Sequence, residues 1–257
     1  MRVAAIIPAR YSSTRLPAKP LQKLGRKSII ERVYEAVHAV VEHVVVATDD
    51  IRIAEEVERF DGRAIMTSTE HRSGTDRCAE ALEKMGGDYD IVVNVQGDEP
   101  FIRREHIEAL LACFDDPATE IATLANPITE EDGIEALLNP NNVKVVTDRK
   151  GRALYFSRSA IPYKRDMDSA EWLKHHTYLK HLGIYAFRPD VLRAITKLET
   201  TPLEQTEKLE QLRWLENGYH ISVAETPFAT IGIDTPEDLA KAEQHIKKHQ
   251  IISNIKT

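Results

Sequence analysis

The chain has 257 residues, 42% of them hydrophobic, enough for one large domain or a domain with a sub-lobe. Its 34 basic residues stand against 41 acidic ones, a net charge of −7, which argues against non-specific nucleic-acid binding and against a basic membrane-surface patch. Two isolated cysteines, Cys78 and Cys113, offer neither a disulfide framework nor a Cys-based metal spacing, so reduced thiols and a cytoplasmic setting are expected.

The apolar run Val3 to Ile7 predicts a buried first strand that breaks at Pro8. It is too short for a signal peptide, and no apolar stretch has the length of a bilayer span. The strand feeds Ala9 and a loop holding Arg10, Ser13, Arg15 and Lys19. Ligands of open parallel sheets bind at the carboxyl ends of strands, and arginine forks, a lysine point charge and hydroxyls together suit a triphosphate. The Walker A spacing is absent, so this is a different phosphate loop. A solvated basic loop is the alternative reading.

Strand and helix signals then alternate. Ile29, Ile30, Val33, Val37, Val40 and Val41 recur at helical spacing. His43 to Thr48 reads as a strand, and Asp50 as the N-cap of a helix through about Phe60. Ala64 to Met66 is a short strand, Thr67 to Thr75 a polar loop, and Asp76 to Met85 a helix. Asp90 to Val95 is a buried strand, followed by a helix over Arg104 to Phe114 and a strand near Ile121 to Leu124. This βαβα order predicts an α/β fold with a mainly parallel, Rossmann-like sheet covered on both faces.

The second half changes character. Val143 to Val146 and Ala153 to Phe156 flank Asp148-Arg149-Lys150-Gly151, a hairpin signal. Residues 163–176 read as a long polar excursion, a lid or a dimer contact. A strand over His181 to Phe187, a helix after Pro189, one helix from about Leu203 to Glu216 and a strand over His220 to Ala224 follow. Thr235 and Pro236 are the N-cap and first residue of the last helix. No repeat, low-complexity segment or interdomain linker stands out.

Three constellations carry chemistry. Asp98, in Val95-Gln96-Gly97-Asp98-Glu99-Pro100, lies just past a buried strand. Asp234, between an apolar run and a helix start, is a candidate partner. Mg²⁺ takes one or two carboxylates, waters and phosphate oxygens, which this pair could supply; helix capping is the alternative for each. The loop Thr67 to Arg77 supplies short donors, Thr67, Ser68, Ser73, Gly74 and Thr75, suited to a pyrimidine base and ribose, with capping by Thr75 as its ordinary role. A third polar group comprises Arg158, His181, Tyr185, Glu207, Glu210 and Gln211. His181 and Tyr185, four apart on a strand, face one side, and Glu207 and Glu210, three apart, share a helix face. That group reads equally as a pocket or as structural and solvated residues.

The stretches Ile7 to Pro20, Val46 to Asp50, Met66 to Arg77, Val93 to Pro100, Asn142 to Pro162 and Ile231 to Leu239 resemble the 3-deoxy-manno-octulosonate (KDO) cytidylyltransferase family, the CMP-KDO synthetases. Val92 to Pro100 and Tyr155 to Ser159 are close to the family form, and the resemblance covers nearly the whole chain. Ala18 departs from a common glycine and Ala160 lies near a usual proline; neither removes a polar side chain.

The resemblance implies a nucleotide-diphospho-sugar transferase fold and the reaction CTP + KDO → CMP-KDO + diphosphate, supplying lipopolysaccharide assembly. It implies a single domain over 1–257, with 1–125 mainly binding CTP and 140–225 forming a sugar-binding and dimerisation sub-lobe. It implies a homodimer with Mg²⁺. Arg10, Arg15 and Lys19 would hold the triphosphate, with Ala9, Ser13, Thr67, Ser68, Ser73, Gly74, Thr75 and Arg77 completing the CTP site. Asp98 and Asp234 would hold Mg²⁺ and, with the three basic residues, form the catalytic centre. Gln96, Arg158, His181, Tyr185, Glu207, Glu210 and Gln211 would bind KDO. In-line attack of the sugar's anomeric hydroxyl on the α-phosphorus is the expected chemistry, with positioning and charge neutralisation supplying most of the catalysis. An 8-amino analogue of KDO or a sialic acid could replace the acceptor. A sugar-1-phosphate nucleotidyltransferase is disfavoured by the lack of a glycine-rich first loop, and a non-catalytic CTP sensor by the full charged set.

Overall fold

The computed structural model describes residues 1–12, 16–230 and 232–255. The chain divides into two compact units, residues 1–104 with 230–257 and residues 105–229. Residues 105–125, read with the nucleotide-binding half, therefore belong to the second unit, and the C-terminal segment returns to the first.

The first unit holds β1 (Val3–Ala9), the ribbon strands β2 (Lys23–Leu24) and β3 (Lys27–Ser28), α1 (Ile29–His38), β4 (His43–Thr48), α2 (Ile51–Arg59), β5 (Ala64–Met66), α3 (Gly74–Met85) and β6 (Ile91–Asn94). Its main sheet runs β6-β1-β4-β5, every pair parallel, with Ile6 opposite both Asn94 and Val45. Ala4 to Ile7, Val45, Val46 and Ile91 to Val93 are fully buried, as continuous apolar strands between two helical layers require. The helix starts follow local chemistry. Ser28 Oγ accepts from Glu31 N at 3.3 Å and Asp50 Oδ1 from Arg52 N at 3.0 Å.

Two expectations need correction here. The first strand does not break at Pro8 but runs to Ala9, with Pro8 opposite Ala47. The β1/β6 ladder ends at Ile6, so a residue without an N–H is tolerated two positions further along. The helix expected from Asp76 begins at Gly74, capped by Ser73 rather than Thr75. Ser73 Oγ accepts from Asp76 N and Asp76 Oδ2 accepts from Ser73 N, a reciprocal capping box.

The second unit holds α4 (Arg104–Ala112), β7 (Ile121–Ile128), α5 (Gly133–Leu138), β8 (Lys144–Thr147), β9 (Ala153–Ser157), α6 (Trp172–His175), β10 (Tyr178–Phe187), α7 (Pro189–Ile195), α8 (Pro202–Glu207), α9 (Glu210–Glu216) and β11 (Ile221–Glu225). Strand β11 runs parallel to β7; β7 with β10, β10 with β8 and β8 with β9 are antiparallel. The expected hairpin is β8–β9, its turn held by Asp148 Oδ1 accepting from Lys150 N and Arg152 N, with Gly151 at φ 75°. The excursion 163–176 carries α6, whose Trp172 packs with Ile128, Leu137 and Tyr178.

The single helix expected over Leu203 to Glu216 is two helices. Lys208 takes a left-handed conformation at φ 54°, which ends α8 and starts a new axis at α9. Glu207 and Glu210 therefore do not share a helix face. The chain closes with α10 (Pro236–Ile255) in the first unit. Its start is the expected one: Thr235 Oγ1 accepts from Asp238 N at 3.1 Å and Asp238 Oδ2 accepts from Thr235 N at 3.0 Å.

Candidate active site

The carboxyl ends of β1 and β6, the start of α3 and the approach to α10 enclose a polar cleft of about 320 Å³ in the first unit. It forms because the sequence keeps side chains small where backbones meet. A Cβ on Gly97 would lie 2.9 Å from the Pro8 carbonyl oxygen, and one on Gly74 3.2 Å from Pro8 Cγ. Only glycine at 97 lets the turn after β6 pass so close to β1, and that turn carries Asp98.

Lys19 is the cleft's centre. Its Nζ lies 2.5 Å from Asp98 Oδ2 and 2.8 Å from Asp234 Oδ1. Burial alone would lower the pKa of this ammonium; the charges and hydrogen bonds of Asp98 and Asp234 outweigh burial and raise it. Backbone geometry sets up the pairing. Ala18, at φ 52°, turns the chain so that Lys19 opens a short 3₁₀ turn, and Ile233 N donates to Asp98 O at 3.0 Å, tying the Asp234 segment to the Asp98 turn. The two carboxylates suspected from sequence alone are thus brought onto one cation.

Arg10 and Arg72 also line the cleft, both exposed, and among the described residues neither guanidinium has a partner. Ala9, Ser73, Gly74, Arg77 and Gln96 line it as well. Gln96 Nε2 donates to Asn94 Oδ1 at 3.2 Å. Ser13 and Arg15 lie outside the described residues.

Thr67, Ser68 and Thr75 are not on the cleft wall. Thr67 is buried, its hydroxyl donating to Thr48 O at 3.1 Å and accepting from Arg77 at 2.5 Å. Arg77 also reaches Asp49 at 2.7 Å, so it braces the cleft through a buried network behind the wall it helps to form. Ser68 anchors its loop, its N–H donating to Glu80 Oε2 at 2.8 Å, and Thr75 is buried within the first turn of α3. His71 and Arg72, within the expected nucleotide loop Thr67 to Arg77 but not singled out there, also stand on the wall. His71 pairs with Glu80, whose carboxyl is held down to about 2 by hydrogen bonds from Lys84 and the Ser68 backbone.

The second unit gathers the third polar group. Glu207 accepts from Ser157 Oγ at 2.6 Å and from Arg158 N at 2.9 Å, while Arg158 Nε donates to Glu207 O at 2.7 Å. Glu207 is thus a strap on the end of β9, not a solvated helix residue. His181 and Tyr185 do meet on one side of β10, their ring centroids 5.3 Å apart, although a bulge between Leu182 and Tyr185 interrupts the register. Thr123 sits opposite that bulge. Its hydroxyl lies within hydrogen-bond reach of the carbonyls of Ile184 (2.8 Å) and Leu182 (3.1 Å), and of His181 Nε2 at 3.0 Å. Desolvation of the half-buried ring lowers the His181 pKa to about 3, keeping it neutral.

Gln211 is buried, and Glu210 Oε1 accepts from Arg213 at 2.8 Å. Two buried groups, Tyr185 Oη and Trp214 Nε1, hydrogen-bond to no protein atom, and their rings meet edge to face at 5.1 Å. Buried polar groups left open in this way call for a ligand or water. Sequence spacing offered no signal for Thr123 or Trp214.

Known proteins resemble this chain over nearly its whole length. A family model described as cytidylyltransferase matches residues 4–223. A 3-deoxy-manno-octulosonate cytidylyltransferase of Phocaeicola vulgatus is 56% identical over 97% of this chain and 99% of its own length. One of Bacteroides thetaiotaomicron is 55% identical over 96% of this chain and 99% of its own. A solved CMP:2-keto-3-deoxy-manno-octonic acid synthetase complexed with CTP superposes with a TM-score of 0.88 at 43% identity, covering 97% of this chain and 100% of that one. The fold alone extends to a cytidylyltransferase from Leptospira borgpetersenii, with a TM-score of 0.58 at 18% identity. The protein is an α/β nucleotidyltransferase with a mainly parallel central sheet, and the chain belongs to the 3-deoxy-manno-octulosonate cytidylyltransferase family.

Proposed function

We propose that this protein transfers the cytidylyl group of CTP to the anomeric hydroxyl of 3-deoxy-manno-octulosonate and releases diphosphate. The observation that carries the reading is Lys19 held between Asp98 and Asp234 in a cleft that also presents Arg10 and Arg72. Two guanidiniums and an ammonium match the oxygens and charge of a triphosphate. The acceptor is taken from the relatives' names and fits the open polar atoms beside His181 and Tyr185.

Mg²⁺ fits the residues present. Two carboxylate oxygens already converge on one cation, and among the described residues no cluster of three or more acidic, His or Cys ligands exists. That donor set suits an ion that keeps waters and shares phosphate oxygens, not a fully protein-caged metal. When held by Asp98 and Asp234, Mg²⁺ supplies positive charge to the reacting phosphate. Arg10 and Arg72 orient the triphosphate, Lys19 neutralises the leaving diphosphate, and Ser73 with Gly74 fixes the wall against the nucleoside. His181, held neutral by desolvation, and Tyr185 are the polar groups assigned to the sugar. The new bond joins the sugar oxygen to the α-phosphorus as the bond to the diphosphate oxygen breaks, and the hydroxyl proton passes to solvent water.

We further propose that the enzyme works in the cytoplasm as a homodimer, feeding lipopolysaccharide assembly. Among the described residues no helix is long and apolar enough to cross a membrane. Leu138, Leu154 and Tyr163, all exposed on the second unit, give that unit apolar surface for a contact between copies.

The test is diphosphate release by purified protein with CTP and Mg²⁺, comparing KDO, 8-amino-KDO, N-acetylneuraminate and no acceptor. KDO-dependent release, abolished by chelation, is expected. Release with another acceptor only would move the enzyme to a sister reaction. CTP binding without release under any condition would make it a nucleotide sensor.

A further inference from the structure

We propose that Lys19 is the resident cation of the Asp98–Asp234 pair in the nucleotide-free enzyme, so that a triphosphate must draw it away before a divalent ion settles there. This rests on the reading of Asp98 and Asp234 as metal ligands.

The argument is one of shared space and charge. Two of the three donors of the Lys19 ammonium point at the two carboxylates, at 2.5 and 2.8 Å. Its side chain is 15% exposed, against 31% for Asp98 and 47% for Asp234, so the lysine is the least solvated member of the trio. Without it the two like charges would repel each other. A divalent ion entering between the same oxygens meets an ammonium already there and must break two charge-assisted hydrogen bonds. Metal affinity of the free site is therefore low.

A triphosphate changes the balance. Lys19 faces the same cleft as Arg10 and Arg72, so phosphate oxygens offer its ammonium new partners without leaving the site. Its flexible four-carbon stem allows the swing. Moving it takes the ammonium from between the carboxylates as negative charge arrives beside them, and the site then favours a divalent cation. Nucleotide binds first and metal second, and each raises the other's affinity by the same factor. Lys19 is thus a positioning residue for the metal as well as a phosphate ligand.

The experiment measures Mn²⁺ binding by the electron paramagnetic resonance of the free ion, first without nucleotide. Wild type is expected to bind weakly. Lys19→Met is expected to bind roughly tenfold or more tightly, and Lys19→Met/Asp98→Asn to lose that gain. Lys19→Arg and Arg72→Met, which keep a cation on the pair or remove one elsewhere in the cleft, are expected to behave like wild type. Where Lys19→Met melts early, Lys19→Gln replaces it. Lys19 variants that bind no more tightly than wild type overturn the proposal, as does an equal gain in Arg72→Met, which would reflect the general field of the cleft. Wild type is then measured with CTP. Mn²⁺ binding there that Asp98→Asn diminishes keeps the metal reading whatever Lys19 does; if CTP creates no Asp98-dependent site, the metal reading itself fails.

Discussion

Three single residues give sharp tests. Ala18 holds the turn before Lys19 at φ 52°, a conformation that L side chains adopt at a penalty. This explains why glycine suits the position, and Ala18→Gly is expected to stabilise the protein by roughly 0.5–1 kcal/mol in chemical denaturation; a loss of stability would show that the left-handed turn is not populated. Glu207 accepts from the Ser157 hydroxyl and the Arg158 N–H. Glu207→Ala is expected to cost about 1–3 kcal/mol, whereas a solvated helix residue would cost nearly nothing. Desolvation of the half-buried His181 ring holds its pKa down to about 3 in the folded protein, against about 6.5 when unfolded. The unfolded chain therefore takes the proton first. Stability is intact above about pH 6.5 and falls as pH drops toward 3, by roughly 2 kcal/mol at pH 5. His181→Gln is expected to flatten that part of the acid denaturation profile, and an unchanged slope would contradict a desolvated neutral ring.

At the scale of elements, the start of α3 and the turn after β6 shape the cleft. Ser73→Ala removes half of the capping box and is expected to cost about 1 kcal/mol, with a raised KM for CTP because the same turn forms the cleft wall. The elements most legible in the sequence were those written by unbroken local signals. The β-branched run of β4, the Asp50 cap of α2, the Asp148 to Gly151 turn and the Thr235-Pro236 start of α10 stand where the residues place them. What escaped was decided by neighbours. Pro8 looks like a strand terminator, yet the partner strand β6 stops pairing at Ile6 and leaves no bond for proline to miss. Lys208 is an ordinary helix former, and nothing local announces the left-handed turn that separates Glu207 from Glu210. Asp98 and Asp234 were each readable as capping residues; only the Ile233 to Asp98 backbone bond and the shared Lys19 make them a pair. Thr67 and Arg77, which look like ligands in the sequence, satisfy one another behind the wall.

Across the whole molecule, the proposed function assigns the nucleotide to one unit and the sugar to the other. The charged cleft belongs to residues 1–104 and 230–257, and the buried polar cluster around His181 to residues 105–229. Hydrogen exchange is expected to slow with CTP and Mg²⁺ at the carboxyl ends of β1 and β6 and the start of α3, and with the acceptor sugar at β9, β10 and α9. CTP protection centred on the β8–β9 hairpin would contradict that division. The most direct test of the central claim is the turnover number of Asp98→Asn alongside its CTP dissociation constant. The arrangement predicts a fall in kcat of about 100-fold or more with a much smaller change in CTP binding, because Arg10, Arg72 and Lys19 remain to hold the phosphates. Near-normal turnover in Asp98→Asn would contradict the role assigned to the paired carboxylates.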